Sequence, residues 1–335
     1  MSQISIVVPA YNAEQTIGDC LDGLRAQAAA GTEIIVVDDG SRDATCGLAQ
    51  ARGATVLTQA NRGAAAARNL GAQTARGDLV LFIDADCVPA ANWIEAMSAP
   101  FADPEIVGAC GMKRTRQRGI VPRFIQMEFD YRYDNERQRH AIDFIDSGTA
   151  AYRREVFLRC GGFDTRLADA EDTDLSYRLS EAGYRMAFAD GAVVYHAHPE
   201  ALIEYLRRKF VYAYWRSQVY ARHPRKIASD SRTPQTQKIQ GVLAGLLLAA
   251  LLALPLWRDA AGWVGWLVGG LVGLLVLTTL PFVARYLRRD WRVALLAPWF
   301  IGLAAFAGGA GIALGLLRRD AAMPPPKSLD ADKRG

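Results

Sequence analysis

Between Lys238 and Arg285 the only charged residues are Arg258 and Asp259, and between Arg292 and Arg318 there are none. Helices that are apolar all round are buried, either in a large core or in a bilayer. About the first two hundred residues of the 335-residue chain read instead as an ordinary soluble α/β domain. The candidate spans are 239–257, 260–284 and 293–317, each long enough for a crossing helix of ~20 residues. The expected organisation is a soluble domain over 1–200, a basic, aromatic interfacial helix or linker over 201–238, a transmembrane region over 239–317 and a polar tail over 318–335.

Charge orients this arrangement. Arg207, Arg208, Lys209, Arg216, Arg222, Arg225, Lys226, Arg232 and Lys238 precede the first span, opposed only by Asp230, and Arg285, Arg288, Arg289 and Arg292 follow the second. The positive-inside rule puts both groups on the cytoplasmic side and the Arg258-Asp259 loop outside. Pro255 and Pro281 lie near span ends, and Trp257, Trp263, Trp266, Trp291 and Trp299 near the expected interfaces. A full third span would export Arg318 and Arg319, whereas Gly308-Gly309-Ala310-Gly311 allows a broken or re-entrant helix that returns the tail inside. Both topologies stay open, as does oligomeric state. Residues 202–220 mix Leu, Phe, Tyr and Trp with basic residues, which suits a helix in the membrane surface or an amphipathic helix packed on the soluble domain. The expected location is a bacterial-type inner membrane, multi-pass, with the soluble domain cytoplasmic.

The net charge of +4 is too small to point to nucleic acid. The five cysteines, Cys20, Cys46, Cys87, Cys110 and Cys160, form no Cys-x-x-Cys pair and fit a reducing compartment. The N-terminal apolar run is too short for a signal peptide.

In the soluble part, short apolar runs alternate with helical patterns. Ile4–Val8 is a strand ending at Pro9, with Asn12 placed to cap a helix carrying Ile17, Leu21 and Leu24. Glu33–Val37 is a strand ending at Asp38-Asp39-Gly40-Ser41, and Thr55–Thr58 a short third. Gly63 opens an Ala-rich helix, and Asp78–Ile83 is a strand running into Asp84-Ala85-Asp86. Continuous apolar strands between helices imply a mainly parallel sheet buried on both faces, with ligands beyond the carboxyl ends of the strands. The three polar strand ends should therefore converge on one site.

Asp84 and Asp86 after a buried strand are hard oxygen donors of the kind that hold Mg²⁺ or Mn²⁺ against diphosphate; the alternative is that an Asp caps the next helix. Asp38-Asp39 could supply a carboxylate to a nucleobase or ribose, or cap a turn. Arg68, facing the crevice, could bind phosphate. Glu171, Asp172 and Asp174 open a helix with Leu175 and Leu179, where they either complement its dipole or supply a general base. His196 and His198 follow the strand-like Ala192–Tyr195, and either could ligate a metal or touch phosphate.

Together these residues resemble the inverting family 2 glycosyltransferases, whose catalytic domain has the nucleotide-sugar-binding fold called GT-A. The stretches that carry the resemblance are ISIVVPAYNAEQTIGDCLDGL, EIIVVDDGSRDAT, NRGAAAARNLGAQTARGDLVLFIDADC and DSGTAAYRREVFLRCGGFDTRLADAEDTDLSYRLSEAGYRMAFADGAVVYHAHP, in the family's order over about the first two hundred residues. The resemblance implies that Pro9, Ala10, Tyr11 and Asp39 hold the nucleobase and ribose and that Arg68 faces the nucleotide. It places Asp84, with Ala85, by the ribose and diphosphate, and makes Asp86 the main protein ligand of Mn²⁺ or Mg²⁺. Asp172 would be the catalytic base supported by Glu171, and His196, rather than His198, would complete the metal site. The donor would be a nucleotide-diphosphate sugar, with uridine the base the family favours.

One departure bears on the acceptor. Processive synthases of this family carry a Gln-x-x-Arg-Trp motif, and residues 208–215, Arg-Lys-Phe-Val-Tyr-Ala-Tyr-Trp, do not match it. The expectation is a single-addition enzyme, metal-dependent and inverting, acting on a hydroxyl of a lipid-linked or nascent cell-surface glycan. Two alternatives stand beside it: a transferase to polyprenyl phosphate itself, and a non-catalytic membrane scaffold that keeps the fold. Around Gly108–Ile145 the sequence carries no readable code for sugar or acceptor.

Overall fold

A computed structural model describes residues 3–227, 230–231, 233–253 and 261–318. The expected Arg258-Asp259 loop, Pro255, Trp257 and the polar tail beyond Arg318 lie outside the described residues. The elements are β1 (Ile4–Ala10), α1 (Ile17–Arg25), β2 (Glu33–Asp38), α2 (Thr45–Ala51), β3 (Thr55–Thr58), α3 (Ala64–Thr74), β4 (Leu79–Ile83), β5 (Cys87–Pro89), α4 (Trp93–Ser98), β6 (Ile106–Arg114) and α5 (Ile120–Glu136). They continue with β7 (Thr149–Arg153), α6 (Arg154–Arg159), α7 (Glu171–Glu181), β8 (Arg185–His196) and α8 (Leu202–Arg222). The last four are α9 (Gln235–Ala253), α10 (Ala261–Leu277), α11 (Leu280–Tyr286) and α12 (Trp291–Leu317).

The strands form one eight-stranded sheet in the order β3-β2-β1-β4-β7-β6-β8-β5. β3, β2, β1 and β4 pair in parallel, as do β6 and β8, while β7 and β5 run against their neighbours. The sheet is therefore mixed and mostly parallel. Because β7 reverses between β4 and β6, the carboxyl ends of β1, β2, β4, β6 and β8 and the amino end of β7 share one edge.

Successive residues on these strands enter opposite layers, as the two-residue period of a strand requires. Ile6, Val8, Val36, Leu81 and Ile83 pack with Ile17, Leu21, Leu24 and Trp93 on one face. Val7, Ile35, Val37, Val80 and Phe82 pack with Ala67, Ala72, Phe157 and Leu175 on the other. β1 runs on through Pro9 instead of stopping there. Its pairing with β4 ends at Val7, so Pro9 has a neighbour on one side only and its missing N–H costs less there. Asn12 does not cap α1, which starts five residues later. It sits at φ 46°, donates its N–H to Ser41 Oγ and accepts from the Arg42 N–H, tying the loop after β1 to the loop after β2.

After β8 the chain builds a helical layer on the sheet domain. α8 packs Val211, Tyr214, Trp215 and Val219 against Leu167, Ala170 and Tyr177. α5, which the sequence did not announce, joins the sheet domain to the apolar helices. Its Phe124 and Ile125 pack with Tyr205 of α8, Phe282 of α11 and Val293, Ala297 and Ile301 of α12. On the same helix Asp130 accepts from Arg289 at 2.8 Å, Asp134 pairs with Arg285, and Arg123 reaches Asp290 at 2.9 Å.

Among the described residues, two helices are long and apolar enough to cross a membrane, 262–286 and 291–317. The first is interrupted at Thr278-Thr279, where both hydroxyls bond back to carbonyls three residues earlier, just before Pro281. Of the expected span 239–257, the described part is α9. The glycine run of α12 does not break the helix, which is continuous from Trp291 to Leu317. α12 lies parallel to α8: Gly311 faces Phe210 and Ala213, Gly315 faces Tyr214 and Ser217, and Gln218 Nε2 donates to the Gly315 carbonyl at 2.6 Å. A methyl group at Gly311 would run into the Phe210 carbonyl, so here glycine permits close helix packing.

This contact predicts a contrast within one helix. Gly311→Ala should destabilise the protein in detergent by about 1–3 kcal/mol, the cost of overpacking. Gly309→Ala, where a methyl meets nothing within 4 Å, should be neutral or stabilising. Thermal unfolding of the two variants checks it; equal melting points would mean the helices do not touch as described.

Candidate active site

The shared sheet edge is where the polar strand ends meet. The Asp39 N–H donates to the Ala10 carbonyl at 2.8 Å, joining the ends of β1 and β2. Asp38 accepts from the Ser41 N–H and serves the turn. Asp39 is buried and accepts from Gln59 Nε2 at 2.7 Å and from the N–H groups of Arg62 and Gly63 at 2.8 Å, so it organises the entry to α3. Pro9, Ala10, Tyr11 and Asp39 all line one large cavity over this edge.

Arg68 projects from α3 into the floor of that cavity and is 5% exposed. Its Nη2 donates to Asp84 Oδ1 at 2.6 Å and its Nη1 to Glu171 Oε1 at 3.1 Å, so one guanidinium joins the end of β4 to the start of α7. Burial, then the charge of Asp172, push the Glu171 carboxyl up to about 8 against the pull of Arg68. Asp172 lines the cavity, and its Oδ1 accepts from the Thr173 N–H at 2.6 Å and hydroxyl at 3.1 Å.

Lys113, at the end of β6, is a site residue that the sequence reading missed. Its ammonium donates to Asp146 Oδ1 at 2.8 Å and lies 3.7 Å from Asp84 Oδ2. Burial works against its charge, but Asp146 and Asp84 hold it well above the usual lysine value. A lone Lys after an apolar run gives no local signal; only the pairing of β6 with β7 and β8 brings it here. Gly148 makes room for the arrangement, because a methyl at that position would collide with Asp84 Oδ2 and Lys113 Nζ.

Asp84, Asp86 and Cys87 offer ligand atoms within 4.8 Å of one another. The Cys87 thiol is buried and, for that reason first, held well above its ordinary pKa, so it stays a thiol. Antiparallel pairing of β5 with β8 sets Cys87 opposite His196 and brings His196 Nε2 to 3.6 Å from Asp86 Oδ2. Two carboxylates and an imidazole converging from two strands suit a hard divalent cation such as Mn²⁺ or Mg²⁺, and the buried thiol does not. His198 is placed differently, although the two rings are only 5.7 Å apart. It stacks on Phe129, its Nε2 is 3.3 Å from Gln126 Oε1, and burial, then the charge of His196, lower its pKa to about 3.

The cavity has a volume of about 2080 Å³ and does not end at the carboxylates. It continues past Arg208, Tyr212 and Arg216 of α8 to Val242 and Leu248 of α9 and Ile312 of α12. A polar end and an apolar end thus share one space.

Comparison with known proteins identifies the family and the fold. The pattern of the family described as Glycosyl transferase family 2 matches residues 5–161. The pre-mycofactocin glycosyltransferase of Mycobacterium tuberculosis is 28% identical over 241 residues, which are 67% of this chain and 49% of that protein. The chain therefore spans about half the length of that relative. The O-antigen chain rhamnosyltransferase RfbN of Salmonella typhimurium is 29% identical over 223 residues, 62% of this chain and 70% of that one. Among solved structures, the mannosyltransferase PcManGT from Pyrobaculum calidifontis, in complex with GDP-Man and Mn²⁺, superposes with a TM-score of 0.61 at 21% identity. The match covers 95% of this chain and 88% of that one, and it shows a shared fold, a GT-A-like domain followed by long apolar helices.

The room left by Gly148 is testable. Gly148→Ala should fold, since the clash involves only side-chain ends, yet displace Asp84 from Lys113 and cut turnover at least about 100-fold, the effect of a small misplacement in a preorganised site. Unchanged melting with lost turnover is the expected pair of results; full turnover would show that Asp84 and Lys113 need not be so close.

Proposed function

The chain belongs to glycosyltransferase family 2, and from that premise and the arrangement of its carboxylates we propose that it is a membrane-anchored, inverting, single-addition transferase. It moves one sugar from a nucleotide-diphosphate sugar to a hydroxyl of a lipid-linked or nascent cell-surface glycan. The observation that carries this reading is the convergence of Asp84, Asp86, His196 and Asp172 in one cavity that also contains Pro9, Tyr11 and Asp39. The likeness to an O-antigen chain rhamnosyltransferase supports an envelope glycan as product.

In this reading Pro9, Ala10, Tyr11 and Asp39 hold the base and ribose, and Asp84 and Ala85 border the ribose and diphosphate. Asp86, Asp84 and His196 hold Mn²⁺ or Mg²⁺, which when bound supplies Lewis-acid stabilisation to the departing diphosphate. Arg68 and Lys113 keep Asp84 in place. Asp172 takes the proton of the acceptor hydroxyl while that oxygen bonds to the anomeric carbon and the bond to the diphosphate breaks, inverting the centre. Glu171, held beside Asp172 by Arg68, restricts where the base can point.

What the helices touch supports one reading of the membrane arrangement. α9 starts at the catalytic side, where Lys238 pairs with Asp230 at 3.0 Å, and α11 ends there through Arg285 and Arg289. We therefore read α9 and α10–α11 as a hairpin that crosses and returns. α12 runs instead beside α8, whose Glu204, Arg207, Arg208, Lys209, Arg216 and Arg222 cannot enter hydrocarbon without a cost of several kcal/mol. In this reading α12 lies along the cytoplasmic surface, which keeps Arg318 inside. A reporter fused after Gly335 should score as cytoplasmic in cells; an external reporter would make α12 a third span.

Nucleotide release from a panel of nucleotide sugars, UDP-sugars first and GDP-mannose next, tests the chemistry. Release should depend on Mn²⁺ and be lost in Asp86→Ala, while Asp172→Asn should slow transfer at least about 100-fold, as removal of a general base does. Near-normal transfer by Asp172→Asn would favour polyprenyl phosphate as the attacking group, because an ionised phosphate needs no base. No donor binding at all would favour the scaffold reading.

A further inference from the structure

Arg208, Tyr212, Arg216 and Tyr220 recur every fourth residue on α8 and so share one face, and all four line the cavity on the side away from the sheet. The cations on this helix differ in what they hold. Arg208 pairs with Glu204 and Lys209 with Glu128, each at 3.0 Å. Among the described residues Arg216 has no carboxylate partner. Its Nη1 donates to Thr233 Oγ1 at 2.9 Å, and its guanidinium lies 6.0 Å from the Tyr220 ring. A half-buried guanidinium with one neutral partner keeps donors for an anion.

Its position says which anion. Arg216 is near enough to Asp230, and more weakly to Asp172, for the charges to interact, without an ion pair to either. Beyond it the cavity is walled by α9 and α12, with Val242, Gly245, Leu248, Phe306, Ile312 and Leu316. Its lining therefore passes from carboxylates past the Arg216 guanidinium to hydrocarbon. Resting on the transferase reading above, we propose that Arg216 binds the phosphate or diphosphate of a polyprenyl-type lipid acceptor, whose chain lies between α9 and α12 and whose sugar reaches Asp172. A soluble glycan would use neither the cation nor the apolar walls.

The test uses detergent-purified full-length protein and three probes: a long-chain polyprenyl phosphate, the matching polyprenol, and inorganic phosphate. The polyprenyl phosphate should bind, and the other two at least about tenfold more weakly, because each lacks one half of the recognition. Arg216→Gln should weaken the lipid phosphate about 10- to 100-fold, with Arg216→Lys retaining part of the affinity. Gly245→Phe fills the apolar end, where a Cβ on residue 245 meets nothing within 4 Å, and should weaken the long-chain phosphate more than a five-carbon prenyl phosphate. Polyprenol binding as tightly as its phosphate, or Arg216→Gln binding it as wild type does, overturns the proposal. Donor binding by calorimetry in the same preparations separates the failures: donor bound without lipid phosphate sinks only this inference, and no donor bound sinks the transferase reading.

Discussion

The site depends on one buried guanidinium. Arg68 comes from a helix on one face of the sheet, yet it bonds the carboxylate that ends β4 and the one that begins α7. Those segments are far apart in sequence and share no backbone hydrogen bond that would fix their spacing. Two acids converging in a buried place would repel without a cation between them, and a cation buried there would be costly without the acids. Each group therefore makes the others tolerable. Lys113 repeats the device on the far side of Asp84, with Asp146 as its second partner. Asp84 is thus held by two cations from different elements, and the neighbouring Asp86 is left to face His196.

The sheet was legible because its strands are simple. β1, β2 and β4 are apolar runs ended by polar residues, and periodicity plus the rule for open α/β sheets placed their ends together. Less legible was everything set by pairing at long range. Lys113 and His196 enter through β6 and β8, whose register involves a reversed strand and irregular steps that no local pattern announces. His196 and His198 look equivalent in the sequence. Only the pairing of Cys87 with His196 turns one ring toward Asp86, while Phe129 and Gln126 occupy the other. Asn12 misled for a related reason: its residue type suits a helix cap, but the loop after β2 offered it better partners.

The apolar region of the chain was readable by composition and misread in detail. A run of glycines in a hydrophobic helix suggests a break when the helix is considered alone. Beside α8 the same glycines are a contact surface. The basic residues after the expected second span served as topological signals in the sequence; in the structure Arg285 and Arg289 are also ion-pair partners of α5. The segment that carried no readable code, α5, joins α8 in holding the two halves of the molecule together.

That clamp has a mechanical consequence. Among the described residues the helical layer meets the sheet domain through α8 and through α5, whose Arg123 pairs with Asp290. Such a joint ties Asp172 to the helical layer, so that any shift of α5 or α8 against the sheet domain would also reshape the cavity whose other walls are α9 and α12.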